Sequence, residues 1–230
     1  MMLSKRLSLI GSMVKSGSRV CDVGTDHGYL PAFLYKSGKC ASVCATDIRE
    51  KPLLSARKNL AAAGAEGVAL YLCDGLEKIT REMADTVIIA GMGGEVISGI
   101  IERAGFLRDN TVTLILQPTT SADKLREFLA ANGFGVLCEK AVKENGILYS
   151  VMLCAYCGKA YILDCVRRNI GLITPDYDDG RAYIEKQYAI TKKRADELKN
   201  ANTNAARFNE DTKILSMLQK LLGEGEKNGV

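Results

Sequence analysis

The sequence predicts an α/β protein: a doubly wound, mostly parallel sheet of seven strands that ends in an antiparallel hairpin, followed by a helical arm. Three observations carry this. Short apolar runs alternate with helical patterns as far as Asn132, an Asn-Gly dipeptide separates two later β-rich runs, and no strand pattern recurs from Tyr177 onward. Alternation of this kind builds parallel strands joined by right-handed crossovers.

The elements follow in order. The first residues, MMLSKRLSLIGSMVKSG, mix basic and apolar positions, but Ser and Lys interrupt the apolar run, so an amphipathic helix is expected rather than an export signal. Strands are expected at Arg19–Val23, Ser42–Thr46, Val68–Cys73, Thr86–Ala90 and Val112–Leu116, with helix-like segments between them and at Ser121–Asn132. Phe134–Val142 and Ile147–Ala155 flank Glu144-Asn145-Gly146. Asn-Gly between two such runs is a strong hairpin signal, which makes the last two strands antiparallel neighbours. Tyr161–Asn169 reads as a helix that Gly171–Pro175 breaks. Ile184, Tyr188, Thr191, Ala195 and Leu198 then form one stripe, and Ile214, Met217, Leu218, Leu221 and Leu222 form another beyond the polar stretch Asn200–Asn209. These two helices are expected to make a helical hairpin or short coiled coil. The domain division expected is 1–158 for the sheet and 159–230 for the arm.

Composition narrows the function classes. A chain of 230 residues that is 47% hydrophobic buries a full core and still carries an appendage. No apolar run approaches membrane-spanning length. Most of the eight cysteines sit inside apolar runs such as SVCAT and LYLCD, as small buried hydrophobes of a reducing, cytoplasmic compartment. Cys154 and Cys157 make a CxxC, but no second pair and only the distant His27 accompany it, so no metal is expected. A monomer or weak homodimer is expected. Net charge is only +4, but Arg181, Lys186, Lys192, Lys193, Arg194 and Lys199 outnumber Glu185, Asp196 and Glu197 along the arm. Such a basic helix holds a phosphate backbone or forms a solvated face.

The stretch Arg19–Pro31, RVCDVGTDHGYLP, joins the first strand to a helix. Ligands of open α/β sheets bind at this edge, where the strand order reverses. A dinucleotide site needs GxGxxG; here Asp26 stands where the second glycine would be, and Asp22 lies just upstream. Two carboxylates repel a pyrophosphate but suit the sulfonium and ammonium of S-adenosylmethionine. Asp47 ends the second strand, where an acid reaches ribose hydroxyls, and Asp74 follows the third strand, placed to accept from an adenine amine. Each acid alone could be a turn or cap residue.

This topology resembles the class I (Rossmann-like) methyltransferases. Members that methylate an exocyclic amine carry an Asx-Pro-Pro-aromatic loop after the fourth strand, and this chain has Ala90-Gly91-Met92-Gly93-Gly94 instead. Such a loop leaves room for a flat base, and a ring nitrogen with a free lone pair, such as adenine N1, needs little beyond proximity and alignment. The glycines would equally allow close helix packing.

DVGTDHGYLP, the GMGG loop, LQPTT after the fifth strand and LSKRL at the start resemble the bacterial tRNA (adenine-22-N1)-methyltransferase family, often called TrmK. The arm is similar to that family's as well. The resemblance implies methyl transfer from S-adenosylmethionine to N1 of an adenosine in the D-arm of tRNA. A methyltransferase acting on another RNA, a small molecule or a protein would share the cofactor residues. Cofactor binding is expected at Asp22, Gly24, Gly28, Asp47, Ile48, Asp74, Gly75 and Gly91. Asp26, His27 and Tyr29 are expected to orient the target base or the methionine moiety. Met92, Gly93, Gly94, Gln117 and Pro118 are expected on the substrate side. Lys5, Arg6, Lys192, Lys193 and Arg194 are expected to meet tRNA phosphates.

Overall fold

A computed structural model describes residues 3–201 and 204–227. Seven strands, β1 (Arg19–Val23), β2 (Ser42–Asp47), β3 (Ala69–Leu72), β4 (Thr86–Gly93), β5 (Thr113–Thr120), β6 (Phe134–Glu144) and β7 (Ile147–Tyr156), form one sheet. Its order is β3-β2-β1-β4-β5-β7-β6, parallel except for β7. The winding therefore reverses between β1 and β4, and their carboxyl ends open the crevice in which such sheets bind ligands.

Burial alternates across the sheet as the strand period requires. Val87, Ile89, Leu114 and Leu116 point to one face, where they pack with Ile97 and Ile101 of α4 (Gly94–Arg103) and Leu125 and Leu129 of α5 (Ala122–Ala131). Val20, Ile88 and Ile115 point to the other. There they meet Ile10 of α1 (Lys5–Met13), Leu30 and Leu34 of α2 (Tyr29–Lys36) and Leu60 of α3 (Glu50–Ala62). Buried on both faces, the central strands read as continuous apolar runs.

Two expected elements differ. The link from β3 to β4 holds turns rather than a helix, because Gly75 takes a left-handed φ of 57° and the hydrogen bonds that follow, Glu77 N to Asp74 O and Ile79 N to Leu76 O, are three-residue turn bonds. The helix expected at Tyr161–Asn169 is shorter: α6 is Cys165–Ile170, because Asp164 caps it by accepting from the N–H groups of Val166 and Arg167.

Beyond α6, helices α7 (Asp178–Ala201) and α8 (Ala205–Lys227) run antiparallel, with Arg194 opposite Asp211 and Arg181 donating to Leu222 O. Part of the polar stretch expected between them, residues 202–203, lies outside the described residues. Ile170, Tyr183, Ile184, Ile214 and Leu218 form a third core that closes on Ala141 of β6. The arm also covers the sheet's edge. Ala141 N donates to the Tyr177 hydroxyl at 2.7 Å and Lys143 N to Asp179 Oδ2 at 2.9 Å, which satisfies alternate outward N–H groups of β6. Beneath this contact the fully buried Arg126 of α5 donates to Glu139 of β6 at 2.7 Å, to the carbonyls of Arg168 and Asn169, and to the Tyr183 hydroxyl. Sheet and arm thus share one buried polar junction.

Candidate active site

The carboxyl ends of β1, β2 and β4 line a cleft of two lobes, about 460 Å³ and 330 Å³ in volume. Gly24, Asp26, Ala90 and Gly91 belong to both, so the lobes are continuous. The β1–α2 turn is hung from β2, with Gly24 N and Thr25 N both donating to Thr46 O at 2.8 and 3.0 Å. Gly24 has φ 78°, a left-handed conformation that favours glycine, and a Cβ there would also displace the end of the Met92 side chain into the cleft floor. Gly28, with φ 68°, caps α2 and lies against Ala56 of α3.

The larger lobe combines two carboxylates, which accept hydrogen bonds, with apolar side chains. Asp47, nearly buried, has one carboxylate oxygen engaged by Arg49 N at 2.8 Å. Ile48 and Val96 are exposed apolar side chains at this lobe, and Ile100 lines it beside Gly75. A flat ring between such side chains buries apolar surface that water now covers. Asp74 stands at the rim and is held by Arg103 Nη2, 3.2 Å from both oxygens.

The smaller lobe is acidic and aromatic. Asp22 is buried, and burial pushes its carboxyl up to about 6, against a hydrogen bond with Thr25 that lowers it. Asp26 Oδ2 lies 3.2 Å from His27 Nε2, while His27 Nδ1 lies 3.2 Å from Ser55 Oγ, so α3 orients the imidazole. Tyr29 stacks on that ring at 5.4 Å and is half exposed.

Gln117 is fully buried beneath the glycine loop. Its Oε1 accepts from Gly91 N at 3.1 Å and from Arg6 Nη1 at 2.5 Å, and its Nε2 donates to Pro118 O. Gln117 therefore shapes the loop from behind. Arg6 lines the smaller lobe, pairs with Glu144 at 3.4 Å and lies 5.6 Å over the Tyr149 ring, which locks it in the cleft wall rather than leaving it for a phosphate. Lys5 is exposed on α1. Gly94 is buried, and a Cβ there would meet Ser121 O at 2.3 Å, so this glycine serves helix packing. Gly93 packs on Thr120, and Pro118 faces a separate groove. Lys192 and Lys193 are exposed on α7, away from the cleft, and Arg194 donates to both oxygens of the buried Asp211.

Sequence reasoning missed Val96, Ile100 and Arg103, which line or close the larger lobe. Their spacing of four and three after Gly94 places them on one face of α4. That spacing was the available signal. Ser55 and Tyr149 carried none, since each acts through a partner distant in sequence. Among the described residues no cluster of His, Cys, Asp and Glu has the makings of a metal site, and no helix is long and apolar enough to cross a membrane.

The family model described as a methyltransferase domain matches residues 3–152. A crystal structure of a Streptococcus pneumoniae candidate tRNA (m1A22) methyltransferase is 30% identical, covers 96% of this chain and 100% of its own, and superposes with a TM-score of 0.78. The chain belongs to the tRNA (adenine-22-N1)-methyltransferase family. A Bacillus subtilis member, tRNA (adenine(22)-N(1))-methyltransferase, is 29% identical over 202 residues, 87% of this chain and 83% of that protein. Another structure of the S. pneumoniae family member holds S-adenosyl-L-methionine, with a TM-score of 0.77 and 30% identity.

Proposed function

We propose that this enzyme transfers a methyl group from S-adenosylmethionine to N1 of adenosine 22 in tRNA. The observation that carries the reading is the two-lobed cleft: a nucleoside-shaped lobe with a buried acid, joined through Gly24 and Gly91 to an acidic, aromatic lobe. The donor set fits the cofactor. Asp47 offers its carboxylate to the ribose hydroxyls, Ile48 and Val96 flank the adenine, Asp74 accepts from its amine at the cost of loosening Arg103, and Asp22 faces the ammonium. When bound, S-adenosylmethionine supplies an electrophilic methyl on a sulfonium, ready for in-line attack.

The chain's own work is to place a neutral base against that methyl and to stabilise the charge that moves onto it. Adenine N1 attacks with its own lone pair, so no residue has to remove a proton first. The base becomes cationic as the methyl arrives. Asp26, at the junction of the lobes, accepts from the exocyclic amine and stabilises that charge. Tyr29 and His27 offer a stacked aromatic face that Ser55 steadies. Arg6 and Gln117 hold the Gly91 loop at the distance the base needs. In this reading residues 1–158 form the methyltransferase domain, residues 159–230 form an arm that meets the tRNA through Lys192 and Lys193, and the enzyme works in the cytoplasm.

The test is transfer from methyl-labelled S-adenosylmethionine to bulk bacterial tRNA, followed by nucleoside analysis, with Asp47→Ala alongside. Labelled N1-methyladenosine that falls by at least about a hundredfold in the variant is expected, since two charge-assisted hydrogen bonds are lost. Cofactor binding without labelled tRNA would overturn the substrate, and label at another atom would overturn the chemistry.

A further inference from the structure

A second groove, about 340 Å³, runs from the end of β5 to the arm, between Thr119–Ser121 on one side and Lys186 and Arg194 of α7 on the other. It begins where the catalytic loop ends, because Thr120 pairs with Gly93 and Ser121 O packs on Gly94. Its floor carries polar atoms with nothing to bond. Ser150 is 2% exposed and its Oγ has no hydrogen-bond partner; the buried Oδ1 of Asn169 is also unpartnered. Buried polar groups are nearly always satisfied, so two orphans in one groove point to a ligand that satisfies them.

The groove's ends specify the ligand's charge. Ser121 takes a left-handed φ of 53° and its side chain does not cap α5, so the free N–H groups at the start of this ten-residue helix border the groove. Lys186 is exposed and has no carboxylate partner among the described residues. Arg126 and Arg194 are neutralised elsewhere by Glu139 and Asp211, and Asp123 in the first turn of α5 offsets Lys186, so the lining carries no net charge and an anion is met by the free N–H groups of α5 and the Lys186 ammonium as local donors.

We infer that this groove holds a ribose-phosphate of the tRNA strand that flanks the target adenosine, with the phosphate between the α5 terminus and Lys186, and sugar or base atoms on Ser150 and Asn169. The inference rests on the proposed reading of the cleft as a tRNA methylation site. It gives the strand a path from the methyl group to the basic arm.

Ser150→Ala and Lys186→Glu test it, with affinity for an unmodified tRNA transcript measured against salt, alongside cofactor affinity and thermal stability. Lys186→Glu is expected to weaken tRNA binding about tenfold and to reduce the slope of log Kd against log salt by about one. Ser150→Ala is expected to weaken it about fivefold with no loss of Tm, since its hydroxyl has no partner within the protein; a purely structural serine would move Tm and leave tRNA affinity alone. Cofactor affinity should hold in both. If the unaltered enzyme methylates tRNA and both variants bind it within twofold, the groove proposal falls and the catalytic reading stands. If the unaltered enzyme methylates no tRNA, both fall.

Discussion

Asp22 is a carboxylate that the strand delivers into the cleft and the fold then buries. Burial raises its pKa to about 6, so the folded chain holds this proton more tightly than the unfolded chain does. Below about pH 4 both states keep it protonated and the residue costs nothing. Between about pH 4 and 6 the unfolded chain ionises this group while the folded chain keeps it protonated, so stability falls across that window and levels off above about 6. Asp22→Asn removes the titration, so the variant should match the native enzyme's Tm at pH 4 and exceed it above pH 6, by an amount on the order of 3 kcal/mol at most. In the proposed placement the cofactor inverts the preference, because an ammonium beside Asp22 would favour the anion. Cofactor Kd should therefore tighten by up to about tenfold per pH unit below 6 and level off above it. The variant should bind weakly at every pH, and a pH-independent Kd in the native enzyme would exclude Asp22 from the ammonium site.

Most of the sheet was legible in the sequence because the central strands are continuous apolar runs bounded by turn residues, and β1 and the starts of β6 and β7 fall where those runs placed them. The positions of the β1 turn, of Asp47 at the end of β2 and of Asp74 after β3, all on one edge of the sheet, were legible too, as they follow from strand ends. What was hidden depends on residues distant in sequence. Arg126 reads as a surface position of an amphipathic helix, yet it is among the most buried side chains, because Glu139 waits thirteen residues away across β6. Gly171 reads as a helix stop, but its φ of 62° and a Cβ that would stand 1.6 Å from Glu139 Oε2 make it the close wall of the same junction. Arg126→Met alone leaves Glu139 charged and buried, so it should cost about 3–5 kcal/mol, and adding Glu139→Leu should recover much of that loss. Gly171→Ala should cost several kcal/mol, through both strain and collision. Denaturant unfolding of these variants is the measurement; a double variant no more stable than Arg126→Met would show that the pair's hydrogen bonds, not its charges, hold the junction.

At the scale of the whole molecule, the proposed function has an arm on the sheet's far edge serve a cleft at its centre. The buried junction and the capped edge of β6 fix the arm's first half on the domain, and so fix where α7 presents its cations. Those cations are not equivalent. Lys192 and Lys193 are exposed with no carboxylate partner among the described residues, whereas Arg194 grips Asp211, which is fully buried and also approached by Arg207 at 3.5 Å. Reversing Lys192 and Lys193 together should leave Tm within a few degrees and cofactor Kd unchanged. It should also raise the Kd for tRNA by about a hundredfold at low salt, and cut the salt slope by about two, as each phosphate contact releases its counterion. Arg194→Glu should behave in the opposite order: it sets two carboxylates against each other at a buried site, so the arm should unfold at lower temperature before tRNA binding is considered. Binding that tracks Arg194 rather than the two lysines would mean that the arm acts by its shape, and that the charge excess along α7 is a solvated face.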